Sequence, residues 1–158
     1  MSLDRTELRA FAARLASAPE RWAHALDAAD SRERVYELIW DDEDVNAWVI
    51  VWNEDSDTGF HDHDDSAAGI AVIAGTVRED RLSLGGLPPV RLFGGGDTFT
   101  VEPSAIHRVL HAGSGPAATI HAYSPPLRRM GSYRVTDDGV LEREAQSFEV
   151  ELRAPALA

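Results

Sequence analysis

The chain has no cysteine among its 158 residues. This absence excludes a disulfide framework, a thiolate metal ligand and a cysteine nucleophile. Basic residues are few, since 15 Lys and Arg stand against 27 Asp and Glu for a net charge of −12. Nucleic acid and anionic membranes need a basic surface, so we expect neither as a partner. The chain also lacks an apolar run of the roughly 20 residues that span a bilayer, and it lacks a signal-peptide pattern. We therefore expect a cytoplasmic protein.

The residues that are present predict one domain spanning 1–158, because this length is typical of a chain that closes a single core. Residues 1–30 have a helical pattern in which Leu8, Phe11 and Leu15 recur at helical spacing. A second short helix is expected around Trp22. The domain therefore begins with short helices.

Residues 35–150 change to short β-branched and aromatic runs separated by turn residues. Three of these runs predict strands: Val35 to Trp40, Trp48 to Trp52 and Ile70 to Val77. Helices are too few and too early in the chain for a βαβ fold. Many short strands with frequent turns predict a mainly β sandwich or barrel. The tail after Glu151 is expected to fray.

Two histidines, His61 and His63, lie in a strand-like stretch, and His107 follows 44 residues after the second. Side chains alternate along a strand, so an H-x-H pair places two imidazoles on one face. Imidazole suits Fe, Zn, Cu or Ni rather than Ca or Mg. We expect this pair, completed by His107 from a neighbouring strand, to bind one such ion. The alternative is a pair of exposed loop histidines in an acidic stretch.

The histidine pair resembles the first sequence motif of the cupins. His61, His63 and Gly75 match that motif, and Ala68 stands where the glutamate ligand belongs. The second motif is present loosely, as Gly96, Pro103 and His107. Its proline-to-histidine spacing is one residue short. The resemblance implies a cupin jelly-roll barrel whose metal is held by three histidines and no carboxylate.

A second resemblance narrows the family. Three neutral imidazoles leave the charge of a divalent ion uncompensated, which favours an anionic ligand such as a thiolate. The segment Thr119 to Pro126 closely resembles the Ser-x-His-x-Tyr-Ser-Pro-Pro signature of the cysteine dioxygenase (thiol dioxygenase) family, and His107-Arg108-Val109 resembles its third ligand and neighbours. Animal members carry a cysteine crosslinked to the tyrosine at the position of Ala68. The chain therefore resembles bacterial members without this crosslink.

The resemblance implies one Fe(II) per chain and oxidation of a small-molecule thiol with O2 to its sulfinic acid. The implied metal ligands are His61, His63 and His107. The implied catalytic outer shell is Thr119, His121 and Tyr123, which strand alternation also puts on one face. We expect Tyr123, oriented by His121, to donate a hydrogen bond to bound oxygen or substrate. The oligomeric state is expected to be a monomer or a small homo-oligomer.

The expected substrate-binding residues are Arg34, Leu38, Trp52, Ala68 and Arg128. Leu38 aligns with the family arginine that binds the substrate carboxylate, and it cannot do so. Arg34, which shares a strand face with Leu38, is a candidate to replace it, and so are Arg128, Arg129 and Arg134 just past the Pro-Pro turn. If no arginine reaches the pocket, a cationic thiol such as cysteamine or ergothioneine is favoured by three tryptophans, Trp40, Trp48 and Trp52, and by acids near them in sequence that include Glu43 and Asp65. The alternative is that the tryptophans are core and the acids a solvated face.

Two other functional classes remain open. A zinc or nickel cupin that catalyses hydrolysis or isomerisation would use the same three ligands without O2. A non-enzymatic cupin that binds a small ligand would have no need of the His121 and Tyr123 pair. Among the other polar residues, we expect His24 at the surface, His111 at the barrel rim, and Asp62 pointing away from the imidazoles.

Overall fold

The protein is described here by a computed structural model over residues 1–27, 34–87 and 89–148. Helix α1 (Arg5–Ala16) begins after Asp4, whose carboxylate accepts a hydrogen bond from the Glu7 N–H, while the Glu7 carboxylate accepts one from the Asp4 N–H. This reciprocal capping satisfies N–H groups that the first helical turn leaves without partners. A 3-10 turn (Pro19–Arg21) leads into α2 (Ala23–Asp27). The short N-terminal helices are thus confirmed.

The rest of the described chain is strand. The strands are β1 (Val35–Asp41), β2 (Asn46–Trp52), β3 (His61–Asp62), β4 (Ala67–Ala74), β5 (Thr76–Arg81), β6 (Val90–Gly94), β7 (Thr98–Val101), β8 (His107–Ala112), β9 (Ala117–Ser124), β10 (Arg129–Val135) and β11 (Leu141–Ser147). One sheet has the order β1-β2-β9-β4-β7, and the other β11-β10-β3-β8-β5-β6. The prediction of a mainly β fold is confirmed, and its strands form two sheets.

The core lies partly between the two sheets and partly under α1. In β2, Trp48 and Trp52 point into the space between the sheets, whereas Ala47 and Val49 point toward the helices. Both faces of β2 are buried, so the strand is apolar along nearly its whole length. Helix α1 approaches closely because Gly69 has no side chain; a Cβ there would stand 2.6 Å from the Leu8 carbonyl oxygen.

The prediction of a single strand from Ile70 to Val77 is wrong. Strand β4 ends at Ala74 and β5 begins at Thr76, with Gly75 between them at a φ of +69°. A Cβ on Gly75 would also lie 2.6 Å from the Pro116 carbonyl oxygen, so the turn requires glycine. Both strands contribute to the core, and the apolar run therefore continues across the turn.

The predicted strands at Val35 and Trp48 correspond to β1 and β2. Residues 28–30 of the expected helical segment, residues 149–150 of the expected barrel, and the tail after Glu151 lie outside the described residues. No helix in the described ranges is both long enough and apolar enough to cross a bilayer.

Candidate metal centre

The three histidines meet where β3 joins its neighbours. Strand β3 pairs with β8 at His61 and His107, and His63 follows directly after β3. The three side chains are 2%, 0% and 0% exposed in chain order. Nε2 of His63 lies 3.2 Å from Nε2 of His61 and 3.4 Å from Nε2 of His107. The alternative of exposed loop histidines is wrong, because all three are buried and converge.

This geometry fits one metal ion. All three ligand atoms lie within 4.8 Å of one another. Two imidazoles bound about 2.1 Å from one ion, at an angle between a right angle and a tetrahedral one, would have their nitrogens about 3.0–3.4 Å apart. The cluster contains no carboxylate, and Ala68 is fully buried. The three buried histidines could therefore bind a metal that accepts imidazole ligands, such as Fe, Zn, Cu or Ni.

Two of the three imidazole rings are held by hydrogen bonds at Nδ1, the nitrogen that does not face the cluster. Nδ1 of His61 lies 3.0 Å from the Gly59 carbonyl oxygen, and Nδ1 of His107 lies 3.0 Å from Oε2 of Glu79. Since both oxygens only accept, each Nδ1 carries the proton and each Nε2 keeps its lone pair for a metal. Burial lowers the pKa of His107 to about 3, with a further decrease from His61 that the bond to Glu79 opposes. The ring is neutral at pH 7, as metal binding requires.

Glu79 is a candidate functional residue that the sequence did not point to. Its carboxylate is fully buried and also accepts from Arg81 at 3.1 Å and from Arg91 at 2.7 Å. Burial alone would raise the pKa of Glu79, but the hydrogen bond from His107 and the two guanidinium groups lower it to about 2. The segment around Glu79 reads as Arg-Glu-Asp-Arg, which looks like a solvated strand. Its alternation with buried Val77 was the available signal.

Asp62, between the two histidines, points to the other face of β3 as predicted. Its carboxylate accepts from the Gly131 N–H at 3.0 Å, from the Tyr133 hydroxyl at 2.5 Å, and from Arg143 at 2.8 and 3.0 Å. Burial would raise the pKa of Asp62, but the bonds from Arg143 and Tyr133 hold it well below the usual range. A Cβ on Gly131 would lie 2.2 Å from Nε of Arg143, so glycine admits this arginine.

Strand β9 brings the expected outer shell to the same centre. Thr119, His121 and Tyr123 are all 0% exposed. Nδ1 of His121 lies 3.2 Å from the Tyr123 hydroxyl, and the Tyr123 ring centroid is 5.0 Å from that of His63. Ala68 pairs with Tyr123 across β4 and β9, so the position of the animal crosslink faces the tyrosine directly. The structure therefore places the pair beside the histidine cluster.

Trp52 contacts two residues of this outer shell, Thr119 and His121. Its indole N–H donates to the Thr119 hydroxyl at 2.8 Å, and its ring centroid lies 6.0 Å from that of His121. The ring is fully buried within the hydrophobic core between the sheets. Trp48 is buried in the same cluster, and Trp40 packs against Phe11 near α1. The alternative that the tryptophans are core residues is therefore the correct one.

The structure separates the candidate substrate-binding residues. Arg34 is buried, with its guanidinium carbon 5.2 Å from the Trp52 ring centroid. Leu38 pairs with Trp48 on the outermost strand of its sheet and is 46% exposed. Arg128 is exposed and lines a cavity of about 400 Å³ that reaches His63.

The two remaining histidines lie away from the centre. His24 is exposed and pairs with Glu37, with its Nε2 2.6 Å from the carboxylate, as expected for a surface residue. His111 is half-buried at the end of β8, where its Nε2 donates to the Gly115 carbonyl oxygen at 2.5 Å.

An antiparallel two-sheet barrel with an H-x-H pair and a third histidine on the adjacent strand defines the cupin class. Solved structures that are similar in fold agree. A double-stranded β-helix protein from Klebsiella pneumoniae has 18% identity and a TM-score of 0.53, over 61% of this chain and 75% of that one. KdgF from Halomonas sp. has 16% identity and a TM-score of 0.52, over 61% and 83%. An RmlC-like cupin from Methanocaldococcus jannaschii has 15% identity and a TM-score of 0.51, over 61% and 84%.

At these identities the likeness shows the fold alone. The family follows from a family model, "Cysteine dioxygenase type I", which matches residues 2–86, more than half of the chain. The protein belongs to the cysteine dioxygenase type I family. No curated protein gives a significant match to the chain.

Proposed function

We propose that the protein is a mononuclear non-haem Fe(II) thiol dioxygenase that converts a small-molecule thiol and O2 into the sulfinic acid. One observation carries the proposal: a buried cluster of three histidines without a carboxylate, with Tyr123 packed against His63. Membership of the cysteine dioxygenase type I family supports it, since this family implies a small-molecule substrate and O2. The balance RSH + O2 → RSO2H requires no further reductant, because both oxygen atoms end on sulfur.

Bound iron would supply a position at which the thiol loses its proton and O2 is activated. The chain supplies the rest. His61, His63 and His107 would hold the ion through Nε2, and all three rings are buried. If Nδ1 of His121 donates to the Tyr123 oxygen, which lies 3.2 Å away, the tyrosine hydroxyl hydrogen is left to donate to bound substrate or oxygen.

The cavity at His63 favours a zwitterionic, cysteine-like thiol. Arg128 lines this cavity, and so do the acidic residues Glu43 and Asp65. An arginine can hold the substrate carboxylate, while an acid can hold its ammonium group. Arg128 would then take the role that Leu38 cannot perform. Arg34 is the weaker candidate because its guanidinium lies against Trp52.

A cationic thiol without a carboxylate is the second candidate substrate, because the cavity is also lined by Glu43 and Asp65. A purely aromatic cage for such a cation has less support. Trp52 is fully buried in the core, and Trp48 is only 4% exposed. The acids alone would therefore have to recognise the amine.

The test is anaerobic reconstitution with Fe(II), followed by O2 uptake against cysteine, 3-mercaptopropionate, cysteamine and ergothioneine. We expect uptake matched one to one by sulfinic acid, with cysteine preferred over cysteamine. Arg128→Gln should raise KM about 10-fold for cysteine, the cost of one charged hydrogen bond, and leave cysteamine unchanged. Arg129→Gln is the matched control, since Arg129 lines the same cavity but faces Asp64 at 3.5 Å.

Iron-loaded protein that consumes no O2 with any of these thiols would contradict the proposal. Turnover by zinc- or nickel-loaded protein without O2 would instead support a hydrolase or isomerase. If the protein binds a small molecule whether or not metal is present, and forms no product from it, the result would support a ligand-binding protein.

A further inference from the structure

Glu79 stands directly behind His107, on the neighbouring strand β5. Its carboxylate is 0% exposed, and its two oxygens face different partners. Oε2 accepts from Nδ1 of His107 at 3.0 Å. Oε1 accepts from Nε of Arg81 at 3.1 Å and from a terminal nitrogen of Arg91 at 2.7 Å. One carboxylate therefore links a candidate metal ligand to two guanidinium groups near the protein surface.

The histidine cluster lacks the negative charge that would balance a divalent ion, and Glu79 can supply part of it. Three neutral imidazoles give a divalent ion no negative charge, and Ala68 leaves the usual carboxylate position without a ligand. A carboxylate that accepts from the outer nitrogen of a bound imidazole raises the basicity of the inner nitrogen. Because Glu79 and His107 are both fully buried, solvent screens this interaction very little.

We infer that Glu79 is a positioning residue that supplies negative charge to the three-histidine centre through His107, and that Arg91 limits how much of that charge reaches it. The guanidinium of Arg91 lies on the far oxygen and is 47% exposed on its side chain, so it can be changed without opening the core. The inference rests on the metal site of the proposed function and does not depend on thiol chemistry.

A purely structural role makes a different prediction. If Glu79 only ties β5 to Arg81 and Arg91, removing either end loosens the site, and both changes weaken metal binding. If Glu79 acts by charge, loss of the acid and loss of the arginine shift the centre in opposite directions. The oxidised ion carries more charge, so a nearby anion lowers the reduction potential and a nearby cation raises it.

The experiment compares Glu79→Gln and Arg91→Gln with the wild type in thiol-free buffer. The readouts are the Fe(II) dissociation constant, from competition with a chelator, and the Fe(III)/Fe(II) midpoint potential. Glu79→Gln should weaken Fe(II) binding about 10–100-fold and raise the potential. Arg91→Gln should lower the potential without weakening binding. Arg134→Gln is the control, since Arg134 is exposed and pairs with Glu142 on the far edge of the sheet.

The inference would be overturned if the midpoint potential shifted in the same direction in both variants, or if it stayed unchanged in either. If Glu79→Gln fails to fold, the fall in potential of Arg91→Gln still decides the question. Wild-type protein that binds no iron would overturn both this inference and the proposed function. Wild-type protein that binds iron but oxidises no thiol would end the proposed function alone, because the potentials can still be compared.

Discussion

The two sheets contribute different chemistry to the same centre. The six-stranded sheet carries His61 and His107 on its strands, and His63 directly after β3, together with the buried acids Asp62 and Glu79. The five-stranded sheet contributes Thr119, His121 and Tyr123, all on β9. The acids of the first sheet are tied to arginines, whereas the groups of the second are joined by hydrogen bonds between uncharged partners.

This difference assigns separate roles to the two sheets. Asp62 and Glu79 are buried carboxylates held by several charged hydrogen bonds, and loss of the acid removes all of them at once. Neutral hydrogen bonds contribute less individually and can change orientation at smaller cost. The six-stranded sheet should therefore determine whether metal is bound, and the five-stranded sheet how fast bound substrate reacts.

The largest effect is expected from the ligands themselves. His61→Ala removes one of three donors and should reduce metal affinity by more than the roughly 10–100-fold typical of a supporting residue. Metal content after dialysis measures this loss. His24→Ala is the control, since His24 is an exposed histidine paired with Glu37. Retention of metal by His61→Ala at the wild-type level would show that the cluster is not the site.

The next largest effect concerns stability of the six-stranded sheet. Asp62→Asn weakens the bonds from Arg143 and Tyr133 that join β3 to β10 and β11, and should cost about 2–4 kcal/mol in unfolding free energy. Denaturant titration of metal-free protein measures it. The control Asp64→Asn should cost at most about 1 kcal/mol, because its arginine contacts are longer and partly exposed. Equal losses would mean that Asp62 has no special part in holding β3.

The two sheets also differ in how well the sequence predicts them. The H-x-H pair and the Thr119 to Pro126 segment are local sequence patterns. The side chains of both patterns are found at the candidate metal centre. Local alternation sufficed because each set lies on one strand or on paired strands. The mainly β fold followed from run lengths and turn residues, apart from the turn at Gly75.

The charged network could not be predicted in this way. Arg143 bonds to Asp62 from 81 residues away, and no local pattern relates the two. Its position depends on Gly131, whose missing side chain makes room between them. Glu79 was not predicted as a site residue, because a run of charged residues in a strand usually indicates exposure to solvent. Only the three-dimensional pairing of β5 with β8 places it behind His107.

A smaller effect, on turnover alone, is expected in the five-stranded sheet. Tyr123→Phe removes the hydroxyl beside His121 and should lower kcat about 10–100-fold, the equivalent of one hydrogen bond to a charged group. Iron content should not change. Tyr36→Phe is the control, since Tyr36 packs against the same core from β1. Loss of iron from Tyr123→Phe would show that the two sheets do not divide the roles in this way.

The smallest effect tests how far from the metal centre the hydrogen bonds between uncharged side chains still influence turnover. Trp52→Phe keeps an aromatic ring but removes the indole N–H that donates to Thr119 at 2.8 Å. Because one neutral hydrogen bond is worth about 1 kcal/mol, kcat should fall about 5-fold with iron retained. Trp40→Phe is the control: it also loses an indole hydrogen bond, to Asp42, but on the outer side of the sheet. If the two variants have equal rates, Thr119 does not need Trp52 to orient it, and the functional part of this sheet ends at β9.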